Sequence, residues 1–112
     1  MKDCLFCKIV EGSIPADVVA ETERVLAFDD INPVAPTHVL IIPKMHVADS
    51  VAEITSAEGG LLVEIFGAAA AIARDRGLDR GWRVVTNVGP AAGQTIFHLH
   101  FHLMGGWAEP QP

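Results

Sequence analysis

The sequence predicts an α+β fold, one long helix laid on an antiparallel sheet, and three observations predict it. A capped apolar stripe occupies the middle of the chain. Short runs rich in Val, Ile and Phe stand on both sides of it. Near the C-terminus "HLHFHLM" (98–104) alternates strictly between imidazoles and bulky apolar residues. A helix returns to the same face every ~3.6 residues and a strand every second residue, so the two patterns name different elements. Strands, then a helix, then strands is the order of an α+β domain.

Taken in order, "KIVEGSIPADVVA" (8–20) has no clear period and predicts no element. "RVLAFDD" (24–30) predicts a strand, and the turn-rich "INPVAPT" with its two prolines follows. "HVLIIPK" (38–44) is almost purely apolar and reads as a buried strand stopped by Pro43. Thr55 and Glu58 have capping-box spacing; Leu61, Leu62, Ile65, Phe66, Ala69, Ile72 and Ala73 then mark the helical stripe, and Gly77 ends it. "WRVVTNVG" (82–89) and "TIFHLHFHLM" (95–104) predict two more strands around the loop "PAAGQ". In the last of these, His98, His100 and His102 share one face while Leu99, Phe101 and Leu103 take the other. One face is then core and the other chemistry.

The 112 residues predict a single domain, 1–112, and half of them are hydrophobic, ample for a core. A net charge of −6 with eight scattered basic residues argues against a nucleic-acid surface. No uncharged apolar run is long enough to span a bilayer, and "MKDCLFCKIV" lacks the apolar run and cleavage site of a signal peptide. The expectation is a cytoplasmic protein with no membrane partner. In that reducing compartment the two cysteines read as thiols or metal ligands rather than a disulfide.

Three imidazoles on one strand face are costly to bury unless something uses them. One use is a metal site, with several strand histidines on one zinc and a water position left open. The other is covalent catalysis, in which a neutral imidazole attacks an electrophile such as phosphorus and its neighbours hold the charged oxygens. Spacing alone does not choose. "CLFC" adds Cys4 and Cys7, the usual half-site of a tetrahedral zinc centre. With no other cysteine in the chain, histidines are the natural remaining ligands. A closed zinc site that takes one triad histidine leaves two for chemistry.

"HLHFHLM" resembles the signature of the histidine-triad (HIT) superfamily, His-φ-His-φ-His-φ-φ with φ apolar, at every position. "FDDINPVAPTHVLIIPKMH" (28–46), "NVGPAAGQTIFHLH" (87–100) and "LMGG" (103–106) resemble its Hint branch in order and spacing. The resemblance implies a five-stranded antiparallel sheet with one long helix, in a homodimer built on that helix and a strand. It implies hydrolysis or transfer at the α-phosphorus of a nucleotide, typically a purine nucleoside phosphoramidate that releases the monophosphate. His100 is then the nucleophile, His102 contacts α-phosphate oxygens, and His38 stands beside the phosphate. Asp30 holds the ribose hydroxyls, as a carboxylate accepting from a vicinal diol. Ile31 and Phe28 lie near the base; Asn87, Gly93, Gln94 and Thr95 contact phosphate and leaving group.

The cysteine pair resembles that of members carrying a structural zinc, which implies Cys4, Cys7, His46 and His98 as ligands. "NVGPAAG" departs from the acidic or serine-containing turn of many relatives, and the tail "GGWAEPQP" is variable. Trp107 in that tail is a candidate leaving-group contact in the partner subunit's site. Three other functions compete: hydrolysis of dinucleoside polyphosphates as in the Fhit branch, a purine-nucleotide-binding interaction module, and a hydrolase whose zinc sits on all three triad histidines. "MGG" after the triad favours the Hint branch over the Fhit branch.

Overall fold

The structure is a computed structural model and describes residues 4–112. Its elements are α1 (Leu5–Val10), β1 (Val18–Glu21), β2 (Val25–Asp29), β3 (Thr37–Pro43), α2 (Gly59–Asp75), β4 (Trp82–Val85) and β5 (Phe101–Gly105). The five strands form one antiparallel sheet in the order β1-β2-β3-β5-β4. This is the α+β fold of the sequence reading, with one long helix and one addition. The aperiodic N-terminal stretch contains the short helix α1 and the edge strand β1.

β3 is the central strand and every one of its residues is buried, as its unbroken apolar run requires. Alternate residues feed two cores. Val39 and Ile41, with Leu99, Phe101 and Leu103, pack under Leu61, Ile65, Ala69 and Ile72 of α2. Leu40 and Ile42, with Leu26 and Phe28, face the other way and meet Phe6 and Cys4. The triad histidines therefore open onto the face that α1 covers, opposite the long helix.

The Thr55–Glu58 capping box is present and heads a 3-10 turn, Ser56–Glu58, that runs straight into α2. At the other end Gly77 takes a φ of 68° and the Leu78 N–H reaches the Ala73 carbonyl at 2.9 Å, closing the helix with the left-handed residue that glycine permits.

Two strand boundaries differ from expectation. The strand predicted over 82–89 stops at Val85, and the one predicted over 95–104 begins only at Phe101. Between them Pro90–Ala92 forms a 3-10 turn flanked by Gly89 and Gly93 at φ 85° and 94°. That turn carries residues 95–100 off the sheet and against the segment after β3, where the Leu99 N–H donates to the Ala48 carbonyl at 2.9 Å. His98 and His100 thus precede β5, although the in-out alternation persists through them.

Candidate functional site

The Thr86 hydroxyl donates to the His100 carbonyl at 2.8 Å and fixes the backbone at the sheet's end. His100 Nδ1 lies 2.8 Å from the His98 carbonyl. A carbonyl only accepts, so Nδ1 carries the proton and the Nε2 lone pair is free. Among the described residues no buried side-chain nitrogen or oxygen lacks a partner, so the unpartnered Nε2 faces the open cavity. Burial pushes the His100 imidazole below its ordinary value, which keeps the ring neutral at pH 7.

A second proton assignment follows from β3. The Val34 N–H donates to His38 Nδ1 at 3.1 Å, so the His38 proton sits on Nε2. That Nε2 is 2.9 Å from His102 Nδ1 and donates to it. His102 therefore carries its own proton on Nε2, away from His38. Burial, with His100 and His38 alongside, pushes the His102 imidazole down to about 4. Asp30 stands beside this pair, Oδ2 at 3.4 Å from His38 Nε2, while its Oδ1 accepts the Asn32 N–H at 2.9 Å in a tight turn.

These groups border one cavity of about 580 Å³. Phe28, Asp30, Ile31, His38, Asn87, Thr95, His100 and His102 all line it. Ile31 is 86 % exposed at its rim, an apolar side chain with nothing over it. Leu5, Phe6 and Ile9 of α1 supply an apolar wall that the sequence did not announce. Gly93 and Gln94 stand outside the cavity. Gln94 donates through its amide nitrogen to the Asp49 and Ile96 carbonyls at 2.7 and 3.1 Å. Its oxygen accepts the Gly89 N–H at 2.9 Å. Gln94 braces the loop from within. Trp107 lies elsewhere on its own chain, with the Arg83 guanidinium 4.9 Å from its ring.

Cys4, Cys7, His46 and His98 form a second cluster, their donor atoms all within 4.8 Å of one another. Cys4 and Cys7 Sγ lie 3.2 and 3.5 Å from His98 Nδ1, and Cys7 Sγ is 3.8 Å from His46 Nδ1. Tetrahedral zinc, with bonds of ~2.3 Å to sulfur and ~2.0 Å to nitrogen, asks for donor separations of about 3.5 Å. Each imidazole is turned by its far nitrogen: His98 Nε2 donates to the Pro43 carbonyl at 2.8 Å, and His46 Nε2 meets Asp49 Oδ1 at 2.9 Å. Both Nδ1 lone pairs thus point at the thiols, the arrangement a metal ligand needs. Burial opposes ionisation of Cys4, yet hydrogen bonds from Cys7 and His46 draw its thiol down; burial and then Cys4 push Cys7 up to about 11.

The same test separates a second grouping, Asp30, His38 and His102. The Val34 N–H occupies His38 Nδ1, so Nε2 keeps its proton and has no lone pair for an ion. Nor do the three triad rings converge: His98 turns to the cysteines, His102 to His38, and His100 Nδ1 to a carbonyl. The donor set fits zinc at the cysteine cluster and not in the cavity.

Known proteins resemble this chain over nearly its whole length. The HIT domain profile matches residues 11–109. An uncharacterised HIT-like protein of Synechococcus elongatus is 47% identical over 105 residues, covering 94% of this chain and 91% of its own. The "14 kDa zinc-binding protein" of Zea mays is 48% identical over 106 residues, covering 91% and 80%. Among solved structures, a HIT family hydrolase from Clostridium thermocellum superposes with a TM-score of 0.94 at 47% identity, covering 100% of this chain and 97% of that one. A histidine triad protein from Clostridium difficile gives 0.91 at 43% identity, with coverage of 100% and 97%. With three alternating imidazoles beside a cavity, a five-stranded sheet and a match over nearly its whole length, this chain belongs to the HIT domain family.

Proposed function

We propose that the protein is a Hint-type nucleoside phosphoramidase that works through a nucleotidyl-histidine at His100. The observation that carries this reading is the His100 ring itself, neutral, with Nδ1–H on the His98 carbonyl and Nε2 open to the cavity. Nε2 attacks the α-phosphorus of a purine nucleoside 5′-phosphoramidate and forms a P–N bond as the bond to the departing nitrogen breaks. The nitrogen leaves as an amine, taking a proton from solvent. Positive charge growing on the ring is met by the His98 carbonyl, which already accepts from Nδ1. The His102 Nε2–H, fixed by the His38 donation, serves the non-bridging oxygens as charge builds there. Water then attacks phosphorus, the P–N bond to His100 breaks, and the proton that water sheds balances the one the amine took. Asp30 accepts from the ribose hydroxyls, while Phe28, Ile31 and the Leu5 and Ile9 side of α1 hold the base.

Cys4, Cys7, His46 and His98 would hold zinc, which would supply cross-linking and no chemistry at phosphorus. A homodimer accompanies the reading. On α2 Val63 is 73 % exposed on the outer face and Phe66 48 % exposed beside the sheet, its ring 5.5 Å from that of Phe101, and the edge strand β4 presents Trp82. A second copy covers such a face economically.

His100→Gly is expected to lower AMP release from an adenosine phosphoramidate by at least about a thousandfold, with the melting temperature little changed. Retained turnover removes His100 from the nucleophile role. Dinucleoside polyphosphates assayed beside the phosphoramidate distinguish the Fhit-like reading, and nucleotide binding with no turnover of either marks an interaction module.

A further inference from the structure

Helix α1 has six residues, far below the ~12–15 at which an isolated helix becomes marginal in water. Two attachments hold it. The first is apolar packing: Phe6 is buried edge-on against Phe28, His98 and His100 with centroids 5.6, 5.8 and 5.0 Å apart, and Ile9 and Val10 pack half-buried beside it. The second is the thiol–imidazole cluster. Cys4 is the helix N-cap and its Sγ accepts the Cys7 N–H at 3.3 Å, so both cysteines sit in the first turn, aimed at His98. The face of the same helix that carries Leu5, Phe6 and Ile9 is the apolar wall of the cavity.

We propose that this centre is a latch: zinc bound by Cys4, Cys7, His46 and His98 pins α1 over the cavity and so sets nucleotide affinity. Phe6 is the positioning residue that passes the restraint to His100. The inference rests on the nucleotide reading above. With no ion bridging the four donors, α1 keeps only its apolar packing, Phe6 with the half-buried Ile9 and Val10, and the docked helix becomes one state among several. If it is docked in one molecule in ten, the apparent dissociation constant for nucleotide rises about tenfold. A second restraint runs in parallel, because the ligand His98 presents the carbonyl that orients the His100 ring at 2.8 Å.

The test compares zinc-loaded full-length protein with the same protein stripped by a chelator. Three things are read: amide hydrogen exchange along the chain, AMP affinity by calorimetry, and KM against kcat. Stripping is expected to speed α1 exchange while α2 and β3 stay protected. AMP affinity should weaken and KM rise by about tenfold, with a smaller change in kcat. Phe6→Ala in zinc-loaded protein should reproduce the weaker AMP binding with zinc still at one per chain, and Phe6→Leu should recover part of it. Equal AMP affinity and equal α1 exchange in the two forms overturn the latch. So does loss of protection in α2 and β3 together with α1, since zinc then supports the whole fold. AMP binding to neither form overturns the nucleotide reading beneath the proposal, and α1 exchange then decides the latch alone.

Discussion

Each imidazole is assigned its task by the group at its far nitrogen. His98 and His46 donate outward, to Pro43 and Asp49, and so offer lone pairs to the cysteines. His100 donates to a carbonyl and offers its lone pair to the cavity, whereas His38 and His102 pass a donor along a chain that begins at the Val34 N–H. The imidazole of His102, pushed down by burial and its neighbours, gives a testable pH dependence. Its pKa falls from 6.5 to about 4 on folding, so the unfolded chain binds the extra proton. Stability is therefore full above pH 6.5 and is lost as pH drops through the window toward 4. Melting curves across that range should show a decline that is shallower in His102→Asn. An unchanged slope in the variant means His102 is not buried neutral. The residue types of this site were legible in the sequence, because three alternating histidines and a Cys-x-x-Cys pair have few other uses. The backbone partners that sort them, Val34 N–H and the carbonyls of Pro43 and His98, leave no mark in side-chain identity.

At the scale of elements, legibility followed hydrophobic period. β3 is buried throughout and α2 along one stripe, and those two patterns mark them in the sequence. α1 buries only Phe6, too little to make a stripe, and β1 is a four-residue edge strand. The end of β4 and the start of β5 were misread for another reason. Residues 95–100 keep a strand's alternation while their backbone pairs with the Ala48 loop instead of the sheet, and alternation reports facing, not pairing partner. Gln94, which the family resemblance implies as a phosphate or leaving-group contact, has its buried side chain bonded to three backbone groups. Two substitutions test the elements by chemical denaturation. Thr55→Ala removes the capping box ahead of α2 and should cost about 1 kcal/mol. Leu103→Ala, at a fully buried position between β3 and α2, should cost about 3 kcal/mol. A loss at Thr55 as large as that at Leu103 contradicts the packing described.

For the molecule as a whole, the sheet separates two kinds of work. One face is sealed by α2 and is purely apolar core; the other carries the cysteine cluster, α1 and the cavity. The helical run Ser56–Asp75, α2 with the 3-10 turn before it, is apolar enough by length and composition to pass for a membrane span. Its inner face packs on the sheet, and in the proposed dimer its outer face packs on a second copy. Val63→Glu should then yield monomers in sedimentation equilibrium, where the parent chain sediments as a dimer. A monomeric parent chain contradicts that assignment.

In the proposed reaction His100 takes the nucleotidyl group before water does. The direct measurement is the stereochemical course at phosphorus, using one diastereomer of an adenosine phosphoramidate with sulfur on phosphorus, hydrolysed in heavy-oxygen water. Two in-line displacements, first by the His100 ring and then by water, predict retention of configuration. Inversion, the mark of one direct attack by water, contradicts the account.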